Sequence, residues 1–241
     1  MAKTTLDLNA QLQQVIEFMT VVGQTVNTLE TYATPKVADF RTRLIEEEVF
    51  GKKELVDSMN NDDVVGVLDG LCDVLYVTYG ALATYGLELD TSVSHPVEIA
   101  DGGSKQIFKH TAFELIRSIS GAVEQYKRGV ELGDFRTMIR GLGNVIFQVT
   151  RIAEEYNISL QEPFAEVHAS NMSKLCTTEQ QAIDSIAERV EANNDKSADY
   201  MGATIARVEV NGKEYFVIRR AADNKVLKGN GFFEPNLAKY V

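Results

Sequence analysis

The sequence predicts a mainly α-helical protein: a four-helix-bundle-like body from a duplicated helical hairpin, with a small C-terminal α+β appendage containing a β-hairpin. Three observations predict it. Apolar residues recur at helical spacing as far as about Leu160. Two long stretches within that region repeat one another at a fixed offset. Beyond Ala203 the period changes to strand-like alternation around an Asn-Gly pair.

Residues 8–22 place Leu8, Leu12, Val15, Ile16, Met19 and Val22 on one helical face, and Gly23 and Pro35 end the pattern. A second helix is expected from about Lys36 to Met59, bent or interrupted near Gly51. Asn60 to Asp63 form a turn and N-cap cluster. A third helix is expected from about Val64 to Tyr85, stopping at Gly86, and "SHPVEIADGGSKQ" reads as a linker. With an offset of 71 residues, which brings Leu44 onto Leu115, "GLCDVLYVTYGALATYGLEL" overlies "GLGNVIFQVTRIAEEYNISL". Gly70/Gly141, Leu71/Leu142, Val74/Val145, Tyr85/Tyr156 and Leu89/Leu160 are identical, and Asp63 matches Asp134. Residues 177–193 read as a helix capped by Thr178, and 203–220 as a hairpin turning at Asn211-Gly212. The expected domains are therefore 1–175, the helical body; 176–222, helix plus hairpin; and 223–241, a Gly-rich loop and tail.

Composition narrows the function. The 241 residues carry a formal net charge of −11, which disfavours nucleic acid polymers and anionic membranes as partners. Cys72 and Cys176 lack a CxxC spacing, which fits a reducing compartment. No secretory leader and no apolar run of about 18 residues are read, so the expected location is cytoplasmic.

The two copies differ in their acids. Glu46, Glu47 and Glu48 correspond to Arg117, Ser118 and Ile119, Asp69 to Arg140, and Asp73 to Asn144. Glu47 and Glu54 share one helical face, and Asp69 and Asp73 share another on the next helix. Antiparallel packing would bring the two sets together. Carboxylates converging on an apolar interface resist joint ionisation, and Asp69 and Asp73 lie in the buried-looking "VLDGLCDVLYV". A divalent cation resolves the conflict, and hard carboxylate oxygens suit Mg²⁺ or Mn²⁺. The expected metal ligands are thus Glu47, Glu48, Glu54, Asp69 and Asp73. A solvated acidic face is the competing reading for the glutamate run alone.

"FRTRLIEEE", "LDGLCDVLYVTYGALATYGLEL", "PFAEVHASNMSK" and "DNKVLKGNGFFEPNL" together resemble the phosphoribosyl-ATP pyrophosphohydrolase-like branch of the all-α, MazG-like nucleoside triphosphate pyrophosphatases. The resemblance runs from about Val15 to Leu237. It implies Mg²⁺ held by two helices and hydrolysis of a nucleoside triphosphate, with a deoxynucleotide preferred, to monophosphate and pyrophosphate. Glu47, Glu48 and Asp73 become the expected catalytic groups. Two positions depart from the family motifs: the last glutamate of E-E-x-x-E falls on Gly51, and the glutamate of E-x-x-D falls on Gly70. Glu54 and Asp69 are the nearest replacements. A nucleotide-binding sensor or sponge with impaired catalysis is the alternative on the same scaffold.

The resemblance also places Lys174 and Lys228 near the nucleotide, with Arg41 or Arg43 as further cations. Asn171 can read a base edge, and Gly229 and Gly231 would let backbone amides approach phosphate. The tail from 223 is expected to return to the active site. His168 reads as a structural histidine rather than a base, and Tyr76, Tyr79 and Tyr85 as core. Phe232 or Phe233 could cover a base. Family relatives associate through their helices, which implies a homodimer or higher homo-oligomer.

Overall fold

The computed structural model describes residues 3–4, 7–89, 97–98, 103–192 and 194–241. It is mainly helical with a small C-terminal antiparallel β-hairpin, as the sequence predicts. The chain forms two compact units: residues 1–16, 25–165 and 236–241, and residues 17–24 and 166–235. The expected domain boundaries at 176 and 223 both fall inside the second unit.

The first unit contains the repeat. α1 (Leu8–Val21) begins in this unit. α2 (Pro35–Phe50) starts with Pro35 at its first position, where a missing N–H costs nothing, and Thr34 caps it by accepting the Val37 N–H. After a short break come α3 (Leu55–Asn60) and α4 (Val64–Tyr85). α5 (Lys109–Leu132) and α6 (Phe135–Tyr156) follow. Most of the linker lies outside the described residues, but β1 (Lys3–Thr4) pairs antiparallel with β2 (Val97–Glu98).

Superposing the sequences by 71 residues carries α4 onto α6 end for end. Asp63 and Asp134 are both N-caps, accepting the N–H of Gly66 and of Arg136. Gly86 and Asn157 both close their helices in the left-handed region, and the equivalent residues Asp62 and Gly133 are both left-handed in the preceding turns. The crossing point is shared as well. A Cβ on Gly70 would lie 2.8 Å from Leu55 Cα, and one on Gly141 would lie 2.3 Å from the Tyr126 nitrogen. Leu55 and Tyr126 are themselves equivalent, so each glycine lets one helix backbone rest on the next at the same place in each hairpin.

α4 is the core helix. Its buried side chains run almost continuously from Val67 to Tyr85, including Tyr76, Tyr79 and Tyr85 as expected. Its length and hydropathy are those of a membrane-crossing helix, which corrects the expectation that no apolar run is long enough. The apolarity has a local cause: a helix buried on most of its circumference needs apolar residues nearly all round. Tyr79 donates to Gln11 at 2.9 Å and packs edge-on against Phe164.

The second unit is α+β. It contains the end of α7 (Gln161–Met172), then α8 (Glu179–Glu191) and α9 (Ser197–Tyr200), followed by β3 (Thr204–Val210) and β4 (Lys213–Arg219). Thr178 caps α8, and the hairpin turns at Asn211 (φ 54) and Gly212 (φ 72). Successive positive φ values at Asn-Gly match the type I′ turn, whose twist suits two-residue hairpins. One face of β4 packs Phe216 and Ile218 with Cys176, Ala182, Tyr200 and Leu227, and the other packs Tyr215 and Val217 with Val21, Val22 and Leu175. Four successive residues of β4 are buried because both faces are covered.

Candidate metal centre

Glu48 on α2, Glu54 at the N-cap of α3 and Asp73 on α4 each present a carboxylate oxygen, and these oxygens all lie within 4.8 Å of one another. Among the described residues this is the group of three acids or thiols that comes close enough to share one ion. All three side chains are half-buried. The equivalent of Glu48 in the second hairpin is Ile119, which is wholly buried. Glu48 therefore occupies a core-facing helix position, and that is what makes its charge costly.

The electrostatics follow. The Glu48 carboxyl is pushed up to about 8, first by burial, then by the charges of Asp73, Glu54 and Glu47 and a hydrogen bond with Glu54. Glu54 is raised by burial, with Asp69 and Glu47 adding to the rise and the Glu48 hydrogen bond opposing it. Glu48 holding a proton and donating it to Glu54 is the arrangement expected of two carboxyls crowded together without a counter-charge. The Cys72 thiol is raised by burial and by Asp73 and Asp69, so it stays protonated and unreactive.

Hard oxygen donors converging from three segments, two of them electrostatically penalised, suit Mg²⁺ or Mn²⁺. Glu47 and Asp69 are solvent-exposed and stand outside the closest three. Their charges nevertheless reach it: Glu47 acts on both glutamates and Asp69 on Glu54. The expectation that Asp69 is buried is corrected: it is exposed while its neighbours Leu68 and Gly70 are buried. Glu46 is drawn away by Lys127 of α5 at 2.7 Å. Lys127 carried no signal in the sequence, because its equivalent in the first copy is Val56.

Gly70 is not a glutamate position emptied of its side chain. The α3 backbone fills the space, so no side chain of any kind is accommodated there. Arg43 is exposed and paired with Asp39 at 2.9 Å. Arg41 is buried, and its Nε donates to Thr84 Oγ1 at 2.7 Å. Burial lowers its pKa to about 10, with Tyr126 and Tyr85 opposing the shift. Arg41 thus braces α2 against the end of α4.

Within the second unit, Lys174 Nζ donates to Asn171 Oδ1 at 2.5 Å. Lys228 Nζ sits 3.7 Å above the Phe232 ring and pairs with Glu234 at 2.9 Å. The loop carrying Lys228 is pinned to the end of α7: Gly229 N–H donates to the Lys174 carbonyl, Ser170 Oγ to the Phe233 carbonyl, and Phe233 N–H to Ser173 Oγ. Gly229 is needed because a Cβ would lie 2.6 Å from Cys176 Sγ. Its amide is engaged inside the protein, which corrects the expectation of a Gly229 amide open to phosphate; the neighbouring Asn230 N–H donates to Ser185 Oγ. His168 is buried 3.8 Å from Glu17, and burial lowers its pKa against the pull of that carboxylate.

The first helical hairpin, in a mainly α-helical chain, gathers three carboxylates close enough to share one cation. Residues 15–95 match the family model for phosphoribosyl-ATP pyrophosphohydrolase, which bears out the resemblance to the MazG-like all-α superfamily. That segment contains all three acids of the triad. The uncharacterized protein L479 of Acanthamoeba polyphaga mimivirus is 29% identical over 244 residues, covering 94% of this chain and 93% of the relative. No solved structure matches the chain. The family supports pyrophosphohydrolase-type chemistry on a nucleotide.

Proposed function

We propose that this protein hydrolyses a nucleoside triphosphate, with a deoxynucleotide preferred, to the monophosphate and pyrophosphate in a Mg²⁺- or Mn²⁺-dependent reaction. The observation that carries the reading is the convergence of Glu48, Glu54 and Asp73 within 4.8 Å, inside the segment that matches a pyrophosphohydrolase family.

Glu48, Glu54 and Asp73 would hold the cation, with Asp69 and Glu47 adding charge around it. A bound divalent ion lowers the pKa of water and neutralises phosphate charge. The oxygen of water bonds to the α-phosphorus as the bridging bond to the β-phosphate breaks. Glu47, exposed and with a charge that acts on both other glutamates, would take the proton that water gives up. Lys174, Lys228 and Asn171, all in the second unit, are the residues that the family resemblance puts on the nucleotide, the lysines for phosphate charge and Asn171 for a base edge. Arg43 would contribute to phosphate binding after leaving Asp39. The protein is read as cytoplasmic and as a homodimer or higher homo-oligomer.

The test is a panel of ribo- and deoxynucleoside triphosphates assayed for pyrophosphate with and without Mg²⁺. Metal-dependent release of pyrophosphate together with monophosphate supports the reading. Release of orthophosphate, or nucleotide binding with no product, overturns it, the latter in favour of a sensor or sponge.

A further inference from the structure

In the second hairpin, α5 runs unbroken through the positions that correspond to α2, the break and α3. In the first, the helix stops at Phe50, and residues 51–54 separate it from α3. The break is built, not frayed. Gly51 is extended (φ −63, ψ 166), and a Cβ there would lie 2.5 Å from the Glu47 carbonyl oxygen and 2.9 Å from Glu54 Cγ. Lys53 occupies the left-handed region with φ 68, an uncommon state for a residue with a side chain. Such a conformation persists where its surroundings hold it.

Asp57 supplies that hold. It is the third residue of α3, and its Oδ2 accepts the Lys53 N–H at 2.8 Å, while Ser58 Oγ donates to the Lys53 carbonyl. The bond resembles one half of a capping box, shifted by one residue: the acid at the third helical position takes the N–H of the residue before the N-cap rather than that of the N-cap itself. The other half, an N-cap side chain accepting a helix N–H, is missing: Glu54 makes no such bond. Its carboxylate stands with Glu48 and Asp73 instead. In the unbroken α5 the equivalent of Glu54 is Gln125, which accepts from Asn144, the equivalent of Asp73, at 2.6 Å.

We propose that Asp57 is a positioning residue for Glu54: by fixing the left-handed Lys53 turn, it frees the N-cap carboxylate of α3 to complete the cation centre. The inference rests on the metal reading above and adds that the helix break, with Gly51 and Asp57, is what makes a third ligand available at this site.

The test uses the full chain and Mn²⁺ titration followed by electron paramagnetic resonance. Asp57→Ala is expected to weaken Mn²⁺ binding by about tenfold, the size typical of residues that orient metal ligands. Asp57→Asn, whose amide oxygen still accepts from Lys53, is expected to restore it. Glu54→Ser is expected to raise the metal-free melting temperature, because serine caps α3, while losing the high-affinity Mn²⁺. Gly51→Ala is expected to weaken Mn²⁺ binding as well. Equal affinity in wild type and Asp57→Ala overturns the proposal. So does equal weakening in the alanine and asparagine variants, which would be a charge effect. Should Asp57→Ala fail to fold, an unchanged or lowered melting temperature in Glu54→Ser, or wild-type affinity in Gly51→Ala, overturns it. A wild-type chain that binds no Mn²⁺ refutes the metal reading itself, a separate outcome.

Discussion

The two hairpins of the first unit share the length and aspartate cap of their second helices, left-handed turns and a glycine crossing, yet one gathers acids and the other does not. Where the first has Glu48, Glu54 and Asp73, the second has Ile119, Gln125 and Asn144. Ile119 joins the core and the two amides hydrogen-bond to each other. The comparison teaches that the backbone of a helical hairpin tolerates either outcome. What distinguishes them is a charge at one core-facing position and a break that redirects another.

The largest effect in this comparison comes from making the first hairpin resemble the second. Asp73→Asn inserts the residue already present at the equivalent position. If the cation contributes several kcal/mol to the reaction, its loss lowers kcat by about 10³-fold, measured as pyrophosphate release at saturating Mg²⁺. Glu48→Ile should do the same while raising metal-free stability, because a half-buried acid becomes a core side chain.

The glycine crossings give the next effect. Gly70→Ala and Gly141→Ala each force a Cβ into a neighbouring helix backbone, and overpacking of this kind costs about 1–3 kcal/mol in chemical denaturation. Both variants should lose stability, but only Gly70→Ala should also weaken metal binding, because the backbone it displaces belongs to Leu55, beside Glu54.

A pH experiment sharpens the contrast further. Glu48 has its carboxyl raised to about 8 from the ordinary glutamate value. The folded state then binds more protons than the unfolded chain between these values. Stability contributed by protonated Glu48 is full below about pH 4.5 and is lost as the pH rises through about 8. The metal-free melting temperature should fall over that window, and Glu48→Gln should flatten the fall. Added Mn²⁺ should oppose it and release protons on binding.

The duplication and most helix ends were legible in the sequence because they rest on local chemistry: Asp63, Asp134 and Thr178 as caps, Gly86 as a stop, and Asn211-Gly212 as a turn. Glu48, Glu54 and Asp73 stood in the sequence among five candidate acids, where helical spacing paired Glu47 with Glu54 across what proves to be a break between α2 and α3. What the sequence hid is tertiary. Asp69 and Asp73 are four residues apart on one helix, yet only Asp73 enters the closest group, because exposure changes across the width of a helix face. Gly70 read as a missing ligand until the α3 backbone filled its place, and Gly229 read as a phosphate amide until Cys176 and Lys174 claimed it. The pairing of Lys127 with Glu46 depends on α5 and α2 packing together, which no short motif encodes.

The smallest effects belong to the surface and the degenerate copy. Arg43→Ala removes an exposed pair four residues apart and should change stability by about 0.5 kcal/mol or less, so a raised KM in that variant would isolate a substrate role. Converting Gln125→Glu and Asn144→Asp together creates a second carboxylate pair, between the unbroken α5 and α6. The Mn²⁺ stoichiometry should remain one per chain, as read by titration.

The most direct measurement is a calorimetric Mn²⁺ titration of the wild-type chain beside Glu48→Gln, Glu54→Gln and Asp73→Asn. One ion bound per chain, with the affinity lost in each variant, is the predicted result. No binding to the wild type, or binding that survives all three substitutions unchanged, would contradict the account.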